Sequence, residues 1–164
     1  MPINCLNARR PSLPFLLPLA LVILVVSGCS TTPTAVAPRS NLSRENAIIM
    51  AQRTADTTGG RVFTIAPTGS MKPTLDENSV VTVETVVFGQ LRQGDIVIYR
   101  SAAGTPIVHR LHQQADGCWF VLGDNNASVD RETVTPANIV GRVCAIFYTS
   151  SGDQGTAPAA LAQR

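Results

Sequence analysis

The 164-residue sequence has few of the residues that usually build metal, phosphate or nucleic-acid sites. Lysine occurs once, at Lys72, and histidine twice, at His109 and His112, and there is no Cys-x-x-Cys pair or glycine-rich phosphate loop. Histidines three residues apart on a strand point to opposite faces, which argues against a shared metal ion. No basic stripe stands out, which argues against nucleic acid as a partner. We therefore expect a protein without a metal, an organic cofactor or a bound nucleic acid.

Long hydrophobic runs are also scarce, and the one present lies near the N-terminus. Residues 13–26 are apolar and follow Arg9 and Arg10, a pattern typical of a secretory signal spanning 1–28. The run is short for a membrane-spanning helix, and prolines interrupt its start. Its end, VSGC, resembles the bacterial lipobox, which implies cleavage before Cys29 and a lipid on the Cys29 sulfur. An uncleaved anchor helix is the alternative, and under either reading the remaining chain lies outside the cytoplasm.

Removal of this leader would change both the charge and the set of cysteines. Without Arg9 and Arg10, 11 Lys+Arg stand against 11 Asp+Glu, so the mature chain is close to neutral. Cys118 and Cys144 remain, in an oxidising compartment where a disulfide can persist. Each lies in a predicted strand. The two cysteines could form a bridge if their strands are neighbours. Because disulfide geometry is strict, a pair of small buried thiols is an equal alternative.

Composition divides the mature chain into a tether, a domain and a tail. Residues 29–42 are rich in Ser, Thr and Pro and predict a flexible tether. Residues 43–60 predict a short helix, because Ser43 can cap its first turn and the glycines at 59–60 can end it. The domain is expected to span 43–148, and residues 149–164 predict a disordered tail.

From residue 61 onward the pattern is one of strands and turns. Segments rich in β-branched and aromatic residues alternate with clusters of Gly, Asp and Asn, and no helical period appears. Such a series predicts a mainly β domain that is antiparallel and partly closed. The predicted strands are RVFTIA (61–66), SVVTVETVVF (79–88), GDIVIYR (94–100), TPIVHRLH (105–112), CWFVLG (118–123) and NIVGRVCAIFY (138–148).

Ser70, in the turn-rich stretch APTGSMKPTL, is the candidate nucleophile. A serine hydroxyl reacts poorly unless a base removes its proton. Lys72 lies among turn residues, where a lysine stays solvated and protonated, so it is a poor base. In IVHRLH, strand alternation places His109 on the more apolar face and His112 on the opposite one. Burial favours the neutral ring that a base requires, which favours His109, although a core histidine without a catalytic role is the alternative.

The stretch GDNNASVDRE, residues 123–132, supplies the acidic candidates. Asp124 and Asp130 follow a predicted strand, and a carboxylate that orients a histidine completes a Ser-His-Asp site. The alternative is a hairpin turn whose Asp side chains bond their own backbone. The residues themselves leave the choice between Asp124 and Asp130 open.

Five segments resemble, in order, the conserved boxes of type I signal peptidases: TGSMKPTL, GDIVIYR, IVHRLH, GDNNASVD and NIVGRVCAIFY. The resemblance covers roughly residues 61–148. It implies a signal peptidase (LexA-like) β fold and a serine endopeptidase that cuts after small residues such as Ala, with no cofactor. It implies Ser70 as the nucleophile and His109 as the general base, since histidine replaces lysine here as in the archaeal and endoplasmic-reticulum enzymes.

The same resemblance implies roles for three further residues. Asp130 matches the later aspartate of the acidic box. Thr68 stands where the bacterial pattern often has Ser, and its hydroxyl is expected to form the oxyanion hole together with the Ser70 backbone N–H. The chain departs from the pattern in DEN at 76–78, which replaces a Gly-Asp turn, and in lacking the large insertion of many bacterial enzymes.

The expected protein is a monomeric, lipid-anchored peptidase of the cell envelope that acts on exported precursor proteins, at the inner or the outer membrane. A lipoprotein domain of the same fold that binds peptides without cutting them is the first alternative. A self-cleaving repressor-type protease is the second. It would need a lysine base and a cleavage site upstream of Ser70, whereas the Ala-Gly pair at 103–104 lies downstream.

Overall fold

The computed structural model describes residues 36–150; the leader, Cys29, most of the tether and residues 151–164 lie outside this range. Within it, no helix is long and apolar enough to cross a membrane. The elements in chain order are α1 (Arg44–Thr58), β1 (Arg61–Thr64), β2 (Ser79–Glu84), a 3-10 turn (Phe88–Gln90), β3 (Ile96–Arg100), β4 (Pro106–Ala115), β5 (Cys118–Leu122), β6 (Thr133–Val134) and β7 (Ile139–Tyr148).

The predicted helix is confirmed, with the caps that the sequence indicated. The Ser43 hydroxyl accepts a hydrogen bond from the Asn46 N–H, and Gly59 ends the helix in the left-handed conformation at φ 65°. The buried face consists of Ala47, Ala51 and Ala55. Small side chains let the helix approach β2 closely, and the Thr82 hydroxyl donates to the Ala51 carbonyl at 2.9 Å.

The strands form one antiparallel seven-stranded sheet in the order β1-β2-β7-β3-β4-β5-β6. The sheet curls into a half-barrel, which confirms the predicted mainly β, partly closed fold. The last strand, β7, lies between β2 and β3, and register shifts occur on both sides of it, at Thr82/Val83 and at Ile98/Tyr99. At Gly141 a Cβ would lie 2.3 Å from the Glu84 carbonyl oxygen, so only glycine permits this close strand contact.

The predicted strands agree with the structure to within a few residues at their ends, apart from one that is too long and one that was missed. The segment predicted as strand 79–88 pairs with β7 only as far as Glu84, which lies opposite Arg142. Beyond it the chain leaves the sheet and turns through Phe88–Gln90, with Val87 68% exposed. The two-residue strand β6 pairs with β5 and was not predicted, because two residues carry no periodic signal.

The sequence left open a bridge between Cys118 and Cys144 or a pair of small buried thiols; the bridge does not form, and Cys144 is exposed. Cys144 carries a free thiol whose Sγ lies 3.4 Å from the Thr82 carbonyl oxygen. Cys118 lies in β5 and Cys144 in β7, and β3 and β4 separate these strands in the sheet. A bridge would require the two cysteines to lie on neighbouring strands, and they do not.

Residues 36–42, which the composition assigned to the tether, lie against the domain. Ala37 is buried, and the Ser40 hydroxyl donates to the Tyr148 carbonyl at 2.5 Å. After β7, Ser150 N–H donates to the Leu42 carbonyl at 3.0 Å. The segment before the helix therefore packs on the domain and is hydrogen-bonded to the end of β7 and to the residues that follow it.

Candidate functional site

Ser70 lies in the loop between β1 and β2, and two large side chains fix this loop to the sheet. Met71 and Leu75 are buried in a cluster with Val81 and Ile98 of the adjoining strands. Gly69, at φ 75°, supplies the left-handed conformation that turns the chain just before the serine. Ser70 itself is half-buried, so its hydroxyl is fixed in position and still reachable from solvent.

His109 lies beside this hydroxyl, in the middle of β4. Its Nε2 is 3.1 Å from Ser70 Oγ, which is hydrogen-bond distance. The residue is buried, whereas His112 is exposed, as strand alternation predicted. A neutral His109 ring that accepts at Nε2 can remove the Ser70 proton, which is the requirement for an activated serine.

Asp130 occupies the other side of the ring. His109 Nδ1 lies 2.5 Å from Asp130 Oδ2. The Asp130 backbone N–H donates to the Val121 carbonyl at 3.0 Å and so ties this residue to β5. With Nδ1–H donated to the carboxylate, the Nε2 lone pair faces the serine, as general-base catalysis requires.

Asp124 binds a different residue, Arg110. The Arg110 Nε and Nη2 donate to its two oxygens at 2.8 and 2.7 Å, and the Thr74 hydroxyl donates to the same carboxylate. Burial raises the pKa of Asp124, but the hydrogen bonds from Arg110 and Thr74 and the Arg110 charge more than offset this, so its pKa lies below the ordinary value. Of the two aspartates that the sequence left open, Asp130 contacts His109 and Asp124 joins the strand β4 to the serine loop.

The turn that carries Asp124 also contacts the serine loop through its backbone. The Asn125 N–H donates to the Ser70 carbonyl at 2.8 Å, and the Asn125 side-chain amide donates to the Gly69 carbonyl at 3.2 Å. A Cβ on Gly123 would lie 2.7 Å from the Ser70 carbonyl oxygen. This turn therefore packs directly against the backbone of the candidate nucleophile.

The two other polar residues of the serine stretch differ in their contacts. The Thr68 hydroxyl lies 3.4 Å from Ser70 Oγ. Lys72 forms no hydrogen bond to Ser70 and no ion pair with any residue of the described range 36–150. The structure therefore groups Ser70 with His109, Asp130 and Thr68, and leaves Lys72 outside this group.

A largely apolar cleft of about 460 Å³ opens beside Ser70 and His109. One wall continues from the edge strand β1 towards the serine, and the other is the start of β4. Among residues 36–150, β1 pairs with β2 on one side only, so its outer edge offers backbone groups that could bind an extended peptide. The lining includes Phe63, Ile65, Met71, Leu75, Ile98 and Ile107.

Sequence reasoning missed three residues of this site: Arg110, Asn125 and Tyr99. Tyr99 is fully buried on β3, and its hydroxyl donates to Asp130 Oδ2 at 2.8 Å. A tyrosine in an apolar strand needs a partner for its hydroxyl, and that need is the signal that could have identified it. Arg110 and Asn125 carry no such signal, because their partners come from distant parts of the chain.

Two comparisons with known proteins show what this chain is similar to. The family model described as Peptidase S24-like matches residues 34–144. Signal peptidase I W of Bacillus subtilis (strain 168) is 32% identical over 76 residues, which are 43% of this chain and 40% of that protein. The match thus spans less than half the length of this curated relative.

Proposed function

Because the chain belongs to the Peptidase S24-like family, we propose that it is a serine endopeptidase of the signal peptidase type with Ser70 as its nucleophile. The observation that carries this proposal is the hydrogen-bonded series from Ser70 Oγ through His109 to Asp130, at 3.1 and 2.5 Å. Such a series is the arrangement that activates a serine at neutral pH. The apolar cleft beside it supplies room for a peptide.

In the proposed first step, Ser70 Oγ attacks the carbonyl carbon of the scissile peptide bond while His109 Nε2 takes the serine proton. The Asp130 carboxylate stabilises the positive charge that forms on the ring. When the tetrahedral intermediate collapses, the carbon–nitrogen bond breaks and His109 gives its proton to the leaving amine. The products of this step are an acyl-enzyme on Ser70 and a free amino terminus.

The second step returns the enzyme to its starting state. A water molecule attacks the acyl carbon, His109 takes a proton from this water, and the ester bond to Ser70 breaks as the proton returns to Ser70 Oγ. In both steps negative charge develops on the carbonyl oxygen. We assign its stabilisation to the Ser70 backbone N–H and the Thr68 hydroxyl, and one such donor contributes roughly 3 kcal/mol.

We propose that the substrate is an exported protein, bound as an added strand along the segment that leads from β1 to Ser70. The edge position of β1 supports this binding mode, because no strand of the described domain pairs with its outer backbone groups. The resemblance to signal peptidases adds the expectation of small residues, such as Ala, at the first and third positions before the cut. Cleavage sites mapped by mass spectrometry on a library of exported precursors would test both expectations.

The cellular setting is a separate proposal, which rests on the leader sequence. Lipid attachment at Cys29 would hold the enzyme at a membrane of the cell envelope, on the side away from the cytoplasm. Metabolic labelling with palmitate tests it: label in the wild-type protein and loss of label in Cys29→Ser would support it. The fraction that holds the protein, inner or outer membrane, decides which precursors it can meet.

The test of the chemistry uses the full chain in detergent and an Ala-x-Ala precursor. Ser70→Ala and His109→Ala should each lower kcat by at least about a thousandfold. Lys72→Ala is the matched control from the same loop, and its rate should stay near that of the wild type. Full activity in Ser70→Ala would refute the nucleophile assignment, whereas loss in Lys72→Ala together with activity in His109→Ala would identify a different base.

A domain that binds peptides without cutting them would give a different result in the same experiment. It would bind the precursor at the cleft, leave it intact and fail to react with a serine-directed acylating probe. Self-cleavage can be told apart from cleavage of another protein by incubating the wild-type chain alone and then measuring its intact mass, which falls only if the chain cuts itself.

A further inference from the structure

Tyr99 and His109 bind the same atom. The Tyr99 hydroxyl donates to Asp130 Oδ2 at 2.8 Å, and His109 Nδ1 lies 2.5 Å from that oxygen. Tyr99 and His109 lie on neighbouring strands, where Val97 is opposite His109 and Tyr99 is opposite Ile107. Because paired residues share a face and side chains alternate along a strand, Tyr99 projects from the same face as Val97 and His109 and reaches the carboxylate from the neighbouring strand.

The surroundings keep the Tyr99 hydroxyl a donor. Burial, the hydrogen bond to Asp130 and the negative charges of Asp130 and Glu132 raise the pKa of Tyr99 far above its ordinary value. The phenol therefore stays protonated throughout the pH range in which a protein of this kind would work. The other charged groups near this part of the site, Asp124 and Arg110, form an ion pair with each other.

Asp130 needs such a donor, because little else in the described domain fixes its carboxylate. The residue lies in the irregular segment between β5 and β6, and its backbone N–H is tied to Val121. That bond fixes the main chain and leaves the side-chain torsions free. Two donors on one oxygen, one from β3 and one from β4, define where Oδ2 lies relative to both strands.

We propose that Tyr99 is a positioning residue that holds Asp130 Oδ2 in line with His109 Nδ1, and so keeps the ring directed at Ser70. This inference rests on the proposed peptidase function. The simpler reading is that Asp130 merely satisfies a buried hydroxyl, in which case Tyr99 contributes to stability alone. The two readings differ in what happens to the Nδ1 proton of His109 when the hydroxyl is removed.

Tyr99→Phe removes one oxygen atom and keeps the ring that packs with Leu111 and Trp119. We expect kcat on the precursor peptide to fall about tenfold with KM unchanged, since one charge-assisted hydrogen bond no longer orients the carboxylate. Tyr148→Phe is the matched control. It deletes the same atom from the other tyrosine of the chain, whose hydroxyl donates to the Thr74 carbonyl, and its kcat should stay near wild type.

A second measurement does not depend on activity. The chain has two histidines, so ¹⁵N-histidine labelling of the His112→Asn variant leaves one imidazole signal, that of His109. We expect its Nδ1 proton to exchange with water about tenfold faster once Tyr99→Phe is added, because the acceptor oxygen is no longer held. An unchanged exchange rate overturns the proposal, whatever the activity does.

The failure of this inference can be told apart from failure of the proposed function. If the wild type and Ser70→Ala are equally inactive or equally active, the peptidase assignment fails, and the exchange rate still decides the role of Tyr99. If Ser70→Ala is inactive while Tyr99→Phe keeps the full kcat, the peptidase assignment stands and Tyr99 is a core residue. Equal melting temperatures for Tyr99→Phe and Tyr148→Phe exclude a general loss of stability as the cause of a lower kcat.

Discussion

Arg110 donates two parallel hydrogen bonds to the carboxylate of Asp124, at 2.8 and 2.7 Å, directly beside the histidine of the candidate site. His109 and Arg110 are adjacent on β4, and alternation sends their side chains in different directions, one to Asp130 and the other to Asp124. Two aspartates six positions apart in one loop thus hold two neighbouring residues of one strand. Their substitutions should therefore have different consequences.

Asp130→Asn should abolish most activity and leave the fold nearly intact. The amide cannot stabilise a charged imidazole and can force the wrong tautomer, so we expect kcat to fall by about 10³- to 10⁴-fold. Asp124→Asn should instead lower the free energy of unfolding by about 1–2 kcal/mol, because it leaves the half-exposed Arg110 with a weaker partner. Precursor cleavage and urea unfolding of both variants separate the two effects.

The control for both is Asp116→Asn, which removes one negative charge from an exposed turn. Asp116 adopts the left-handed backbone conformation, at φ 52°, which suits asparagine as well as aspartate. A loss of kcat in Asp124→Asn as large as that in Asp130→Asn would contradict the division of roles between the two carboxylates.

Gly123→Ala should reduce activity by moving Ser70. The new Cβ would lie 2.7 Å from the Ser70 carbonyl oxygen, a backbone atom that can yield only if the loop shifts. A displacement of the nucleophile by about 1 Å can cost about a hundredfold in rate. We therefore expect the rate of Ser70 acylation by a serine-directed probe to fall by about that factor. Gly89→Ala is the matched control, because no atom lies within 4 Å of its Cβ position, and it should acylate at the wild-type rate.

Much of this site follows from the sequence. The sequence predicts Ser70 and His109 as site residues, because the chain contains few bases and because alternation along IVHRLH separates a buried histidine from an exposed one. Their contact across 39 positions of sequence does not follow from alternation, since it depends on how the β1–β2 loop folds over β4. The resemblance to a known family supplied that link.

The remainder depends on strand order and on side-chain torsions, which local patterns do not contain. Asp124 and Asp130 follow the same strand, and only the packed loop determines which one meets the histidine. The Cys118–Cys144 bridge, which the sequence left open, does not form because β7 returns from the end of the chain to lie between β2 and β3, which puts two strands between the cysteines. Tyr99 has the same apolar, β-forming character as the core residues around it, so the position of its hydroxyl could not be read from the strand pattern.

The residues before the helix stabilise the loop that carries the candidate nucleophile. Arg39 Nη2 lies 2.6 Å from the carboxylate of Asp76, whose side chain is 1% exposed. Burial raises the pKa of Asp76, but Arg39, the Asn78 N–H and Ser79 together lower it below its ordinary value. A carboxyl with a depressed pKa stabilises the fold above its unfolded pKa, near 3.9, and this contribution is lost as the pH falls through the folded value.

Arg39→Ala should therefore destabilise the domain at neutral pH, by about 1–3 kcal/mol, because it leaves a buried carboxylate short of a partner. The difference from wild type should begin to shrink below about pH 4, because the unfolded chain then takes up a proton on Asp76 that the folded chain takes up only at lower pH. Urea unfolding at pH 7 and at pH 3.5 measures both values. Arg53→Ala is the control, since Arg53 is exposed on α1 and forms no ion pair within residues 36–150. An equal loss of stability at both pH values would show that Arg39 acts through packing and not through the Asp76 charge.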